Sequence, residues 1–206
     1  MKVLIIGAGN MGAAFVKRLS AAGHSVRVSS RSPDKAAALA ARHPGTTVAA
    51  DAGDSEVVIL ATGFADAAPA LAAAGDLKGK VVVDITNPLT PDYMGLTIGH
   101  NTSAGEQVAA LVPGAEVVKA FNTVFAQVLD AGPELGGQQV PVFLASDSTR
   151  AKHAAQALAE SMGFATIDAG ALKNARYLEP VAGLNIYLGY GAGLGTTIAP
   201  TWLRQA

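Results

Sequence analysis

The sequence predicts an α/β fold, a doubly wound and mostly parallel sheet with a short C-terminal helical extension. Three observations lead there. Short runs of branched apolar residues alternate with helical patterns along nearly the whole chain. Some runs, such as Val57-Val58-Ile59-Leu60-Ala61, are apolar without interruption, as strands buried on both faces require. The first run, Val3-Leu4-Ile5-Ile6, passes through Gly7-Ala8-Gly9-Asn10-Met11-Gly12 directly into a helix. A G-x-G-x-x-G between a strand and a helix is the dinucleotide fingerprint of a Rossmann-type βαβ unit. The first glycine permits the sharp turn, the second lets backbone approach a pyrophosphate, and the third lets the helix pack on its strand. The bare amides and dipole at the helix N-terminus favour the anion.

The elements follow in order. The first helix runs to Ala22, and a second strand through Val26 and Val28 ends on Ser29-Ser30-Arg31. Ser32 as N-cap and Pro33 in the first turn open an alanine-rich helix to Arg42, with Asp34 as its early acidic residue. Thr46–Ala50 reads as a short strand and Val57–Ala61 as a buried one, ending Thr62-Gly63-Phe64 before a helix from about 65 to 74. Lys80–Ile85 is the fifth strand, ending Thr86-Asn87-Pro88, and a polar loop spans 89–102. Ser103-Ala104-Gly105-Glu106 matches a capping box and starts a helix through Leu111. Glu116–Ala120 is the sixth strand, ending Phe121-Asn122-Thr123, and a glycine-rich connection covers 132–138. A strand over 140–145, a helix over 148–162, a strand over 165–168 and a helical segment from near Lys173 complete the pattern. One domain over 1–206 is expected, with a dinucleotide-binding core to about 130 and an extension over 139–206 that forms the acceptor site.

Composition narrows the function classes. A net charge of −1 argues against a nucleic-acid surface, and the absence of cysteine removes thiol chemistry, disulfides and zinc thiolate sites. No metal-ligand spacing occurs. The N-terminus lacks a signal-peptide layout, which favours the cytoplasm. The uncharged stretch between Glu179 and Arg204 is long enough for a membrane span, but its glycines and prolines point instead to a buried or dimer-forming helix, hence to a homodimer without a membrane partner.

Ligands of doubly wound sheets lie beyond the carboxyl ends of the strands. The end of the second strand selects the cofactor. An NAD site places a carboxylate about 20 residues past the fingerprint; here stand Ser30 and Arg31, with Lys35 a turn later. Two cations and a hydroxyl suit the 2′-phosphate of NADP, and one charge-assisted bond from Arg31 is worth about 1.5–3 kcal/mol, or roughly 10- to 100-fold in preference. The remaining strand ends, Ala61-Thr62-Gly63, Asn87 and Ala120-Phe121-Asn122, complete the candidate walls, although Asn87-Pro88 also suits a turn and Asn122 a helix cap. These ends carry small and amide side chains. There is no Ser-His-Asp set, no G-x-S-x-G and no Tyr-x-x-x-Lys, and of the histidines only His100 could reach a site from its loop. A carbonyl substrate needs a proton donor. Hydride transfer between a nicotinamide and another redox ring needs mainly positioning in a dry slot. Asn87 and Asn122 are the candidates for positioning the acceptor, and no catalytic acid or base is assigned.

The fingerprint, Ser30-Arg31, Val118-Lys119-Ala120-Phe121-Asn122-Thr123, Val140-Pro141-Val142, and Asp168-Ala169-Gly170 with Leu172, Asn174, Arg176 and Glu179 together carry a family likeness. The chain resembles the NADPH-dependent coenzyme F420 reductases and the oxidoreductase domain of the six-transmembrane metalloreductases. The resemblance implies NADPH held by the glycine loop, Ser30 and Arg31. It also implies a deazaflavin (F420) or flavin ring, a small-molecule acceptor, laid near Asn87, Ala120–Asn122 and the C-terminal helix. Arg176 suits either an acidic cofactor tail or an ordinary surface position. The acceptor stays open at this point. So do two other readings, an NADP(H)-responsive sensor without turnover and a small imine or carbonyl reductase.

Overall fold

A computed structural model describes residues 1–202; the last four residues of the expected 1–206 domain and of its 139–206 extension lie outside the described ones. Six strands form one parallel sheet: β1 (Lys2–Ile6), β2 (Ser25–Ser29), β3 (Thr46–Val48), β4 (Val57–Leu60), β5 (Val81–Asp84) and β6 (Glu116–Lys119), in the order β3-β2-β1-β4-β5-β6. The order reverses at β1, so the crevice opens between the carboxyl ends of β1 and β4.

Side chains alternate across the pleat, and both faces are covered. Val3, Ile5, Val28, Ile59 and Val83 join Phe15 and Leu19 of helix α1 (Asn10–Ala21) in one core, with Leu39 of α2 (Pro33–Ala41). Leu4, Ile6, Val58, Leu60 and Val82 join Leu71 of α3 (Ala67–Ala73) and Val108 of α4 (Ala104–Leu111) in the other. This two-sided burial is why the strands lack polar alternation. A short helix α5 (Ala126–Ala131) packs on α1.

The second half departs from the expected continuous sheet. The glycine-rich connection is a small antiparallel hairpin of β7 (Glu134–Leu135) and β8 (Gln138–Gln139). The strands β9 (Pro141–Leu144) and β10 (Ala165–Asp168), which flank helix α6 (Thr149–Ser161), pair with each other as a separate parallel unit. That unit shares the core beside the main sheet and joins its backbone ladder at an antiparallel bridge, Lys119 to Ala145. The last helix, α7 (Ala175–Ile186), ends in a π-helical turn over Tyr187–Gly191 rather than continuing through the uncharged stretch to Trp202. Among the described residues no helix is long and apolar enough to cross a membrane. Residues 89–102 fold on themselves: Leu89 and Leu96 form an antiparallel bridge, and Thr97 N–H and Thr90 N–H donate to Pro88 O and Gly95 O.

Candidate functional site

The fingerprint glycines occupy positions where geometry leaves little room. At Gly7, φ is +121° and a Cβ would lie 2.3 Å from Ala61 O; a Cβ on Gly12 would lie 1.8 Å from Gly7 O. Gly9 faces open space, with nothing within 4 Å of such a Cβ. Helix α1 begins just after Gly9 with no side-chain cap and no acidic residue in its first turn. Its first amides are therefore free to meet an anion.

Two clefts meet at this point, sharing Gly9, Ala61, Thr62 and Gly63. One, of about 760 Å³, runs past Gly7, Ala8, Ser30, Arg31 and Lys35 toward Asp66 and Ala70. The other, of about 720 Å³, passes Asn10, Met11, Ile85, Asn87, Phe121 and Asn122 and reaches Asn185, Ile186 and Tyr190 of the C-terminal segment. Together they form one groove across the strand ends, of the size and place expected for a dinucleotide and a second ring. A third cleft, of about 810 Å³, lies beside the N-terminal half of α7 and holds His100, Lys173 and Arg176. It touches no strand end, so His100 stands away from the glycine loop.

Most of the residues singled out from the sequence line the groove. Ala120 does not: it is fully buried and lines neither cleft. Gly12 is likewise absent from both linings and serves packing. Phe121 contributes backbone only. Its left-handed turn (φ +58°) sends the ring into the core against Phe15 and Phe164, at centroid separations of 5.1 and 6.3 Å, and leaves Asn122 at the cleft. Ser32 occupies the N-cap position of α2 without a capping bond; instead its N–H donates to Ser30 Oγ at 3.2 Å. The capping box does form, with Ser103 Oγ accepting from Glu106 N–H. Arg176 is engaged inside the protein: its Nε and Nη2 donate to Glu106 Oε2 and Oε1 at 2.8 and 2.6 Å, which withdraws it from the role of gripping a cofactor tail. Arg176 holds the Glu106 carboxyl below the ordinary glutamate range.

At the far end of the groove Asn87 and Asn122 bond reciprocally. Asn87 Nδ2 donates to Asn122 O (2.8 Å), and Asn122 Nδ2 donates to Asn87 Oδ1 and to Leu178 O (both 3.0 Å). Asn185 Nδ2 donates to Thr123 O at 3.2 Å, a further tie between α7 and the strand end. Asn122 Oδ1 and Thr62 Oγ1 are buried without a hydrogen-bond partner. Orphaned polar atoms on a groove wall fit a ligand that supplies the missing donors and acceptors.

Behind this wall lies a cluster that the sequence reading missed. Lys119, Asp84 and Glu179 are 0%, 0% and 1% exposed. Lys119 Nζ donates to Asp84 Oδ2 at 2.9 Å and to the Thr86 carbonyl, and is ion-paired with Glu179 Oε1 at 2.8 Å. Glu179 also accepts from Ala104 and Gly105 N–H (2.9 and 3.0 Å), capping α4 from another helix. A readable signal existed: Asp84 closes an otherwise apolar strand, Lys119 follows the apolar pair Val117-Val118, and Glu179 is the last charge before the uncharged stretch. Asp66, Tyr93, Met94, Phe125 and Tyr190 also line the groove and had no local signal.

Comparison with known proteins agrees with this geometry. Residues 2–88 match the profile of a family described as NADP oxidoreductase, coenzyme F420-dependent. Metalloreductase STEAP3 from Rattus norvegicus is 36% identical over 181 residues, 87% of this chain and 36% of that protein. The chain spans about a third of the length of the curated relatives it matches, with 36% and 34% covered. A crystal structure from Arthrobacter sp. FB24, described as a candidate F420-dependent NADP reductase, superposes with a TM-score of 0.89 at 31% identity, over 99% of this chain and 100% of that one. An imine reductase from Pseudomonas sp. shares the fold alone, with a TM-score of 0.67 at 23% identity over 93% of this chain and 62% of that one.

Proposed function

The chain belongs to the family of coenzyme F420-dependent NADP oxidoreductases, and from that premise we propose that it transfers a hydride between NADPH and a flat deazaflavin- or flavin-type ring. The groove's residues fit the nucleotide. The amides at the start of α1 receive the pyrophosphate, Ser30, Arg31 and Lys35 hold the 2′-phosphate, and Thr62 and Asn122 offer their unpartnered atoms to the nicotinamide half. When bound, NADPH supplies the hydride; this chain supplies orientation and the exclusion of water.

The observation that carries the choice of acceptor is the wall beyond Gly9 and Thr62. Its lining includes Ile85, Asn87, Asn122 and Phe125, and it holds no imidazole and a single carboxylic residue. The one carboxyl nearby, Asp92, accepts from Thr90 Oγ1 and from Met94 N–H, which hold it below the ordinary aspartate range; it stays ionised and donates no proton at neutral pH. A ring that accepts hydride directly needs positioning alone. Purified protein should oxidise NADPH, followed at its near-ultraviolet absorbance, when F420, FMN or FAD is added. Turnover with none of them, alongside tight NADPH binding, would favour the sensor reading.

A carbonyl or imine acceptor draws on one specific feature, the two tyrosines Tyr93 and Tyr190 that line the cleft. The flat-ring reading expects Tyr93→Phe and Tyr190→Phe to keep turnover within about threefold, whereas loss of a proton donor costs about 10²- to 10⁴-fold. The exposed apolar side chains Leu184, Tyr187, Tyr190 and Leu194 support the homodimer; sedimentation of a Leu184→Glu, Tyr187→Glu variant should then shift from dimer to monomer.

A further inference from the structure

Arg31 and Asp66 face each other across the adenosine-side cleft. Arg31 follows β2, and Asp66 ends the single helical turn (Phe64–Asp66) after β4; β1 and its glycine loop lie between. Two strand spacings separate their anchors by about 9.5 Å, and the side chains close the gap, with Arg31 Nη1 donating to Asp66 Oδ1 at 2.9 Å. Both residues line that cleft, and among the described residues Arg31 makes no other side-chain hydrogen bond.

The guanidinium assigned to the 2′-phosphate is thus already engaged by an anion of the same chain. We propose that Asp66 is a specificity-determining residue, a carboxylate that competes with the 2′-phosphate for Arg31. The inference rests on the reading of Arg31 given above. A phosphorylated dinucleotide exchanges one charge-assisted partner for another, so its gain is the difference between phosphate and carboxylate. A dinucleotide without the phosphate leaves the pair intact and gains nothing from breaking it. Asp66 therefore moderates the preference for NADP and is silent toward NAD.

Calorimetric titration with NADP⁺ and with NAD⁺ tests this on the wild type, Asp66→Asn, Arg31→Ala and the double variant, at low and at physiological ionic strength. Asp66→Asn should tighten NADP⁺ binding by about 1.5- to 5-fold, the range of an exposed ion pair, and more at low salt. NAD⁺ binding should stay unchanged, and the gain should vanish in the Arg31→Ala background. Asp66→Ala should behave like Asp66→Asn. Unchanged or weaker NADP⁺ binding in Asp66→Asn, or equal tightening of both nucleotides, overturns the proposal. A gain that persists without Arg31 also overturns it, because general charge repulsion would then be the cause. If Arg31→Ala fails to alter the ratio of NADP⁺ to NAD⁺ affinity, the 2′-phosphate reading itself fails, and that result is visible without any Asp66 variant.

Discussion

The two ends of the groove each hold an ion cluster, and the clusters are built for opposite purposes. At the adenosine end the Arg31 and Asp66 side chains are 81% and 41% exposed and share one bond. Water competes for both partners, so the pair is worth about 0.2–1 kcal/mol and can be exchanged for a ligand. At the other end Lys119, Asp84 and Glu179 are sealed from water, and the ammonium is paired with both carboxylates and bonded to the Thr86 carbonyl. Charges that have lost their hydration cannot trade partners without leaving an unpaired ion in a low dielectric. The exposed pair suits binding. The buried cluster suits fixing, since it ties the ends of β5 and β6 to the start of α4 and to α7, beside the Asn87–Asn122 pair.

The largest effect should come from the buried end. Lys119→Met leaves two carboxylates facing each other without their cation and should lower stability by about 3–5 kcal/mol in urea denaturation. A loss no larger than that of a surface variant would break the contrast. Arg31→Ala should leave the unfolding midpoint nearly unchanged and instead weaken NADPH by about 1.5–3 kcal/mol, with little change for NADH, in paired titrations. Equal losses for both nucleotides would remove Arg31 from the 2′-phosphate.

The pair Arg176–Glu106 lies between the two extremes, with side chains 35% and 25% exposed and two parallel bonds. Glu106→Gln should lower stability by about 1 kcal/mol at neutral pH, after allowance for solvent screening. Because the arginine depresses the Glu106 pKa below its ordinary 4.5, this contribution is present above that value and is lost as pH falls through the lower, folded value. The difference between wild type and Glu106→Gln should accordingly close on acidification below about pH 4.5. A gap that persists in acid would mean that the glutamate acts through packing.

Particular residues show how far the sequence alone could be read. Gly7, Gly9 and Gly12 were readable because their spacing is a local code, although the contacts behind it differ: Gly12 is limited by Gly7 O, Gly7 by the distant Ala61 O, and Gly9 faces open space. The uninterrupted apolar strands announced a sheet covered on both faces for the same local reason. The break between β6 and β9 was not legible, since 140–145 has the composition of any buried strand, while its pairing with β10 and its single bridge to β6 are tertiary contacts. The reach of the uncharged C-terminal stretch was overestimated, because absence of charge says nothing of where a helix stops; here a π-helical turn at Tyr187–Gly191 ends it.

The order of residues by itself determined the fold class, the anion-receiving start of α1 and the cationic end of β2, all of which depend on neighbours within a few positions. Tertiary structure alone decided which charges meet. Asp66 reaches Arg31 from 35 residues away, and Glu179 reaches Ala104 from 75. Ion pairing depends on distance and burial after the chain has closed, and neither is encoded in any short stretch of it.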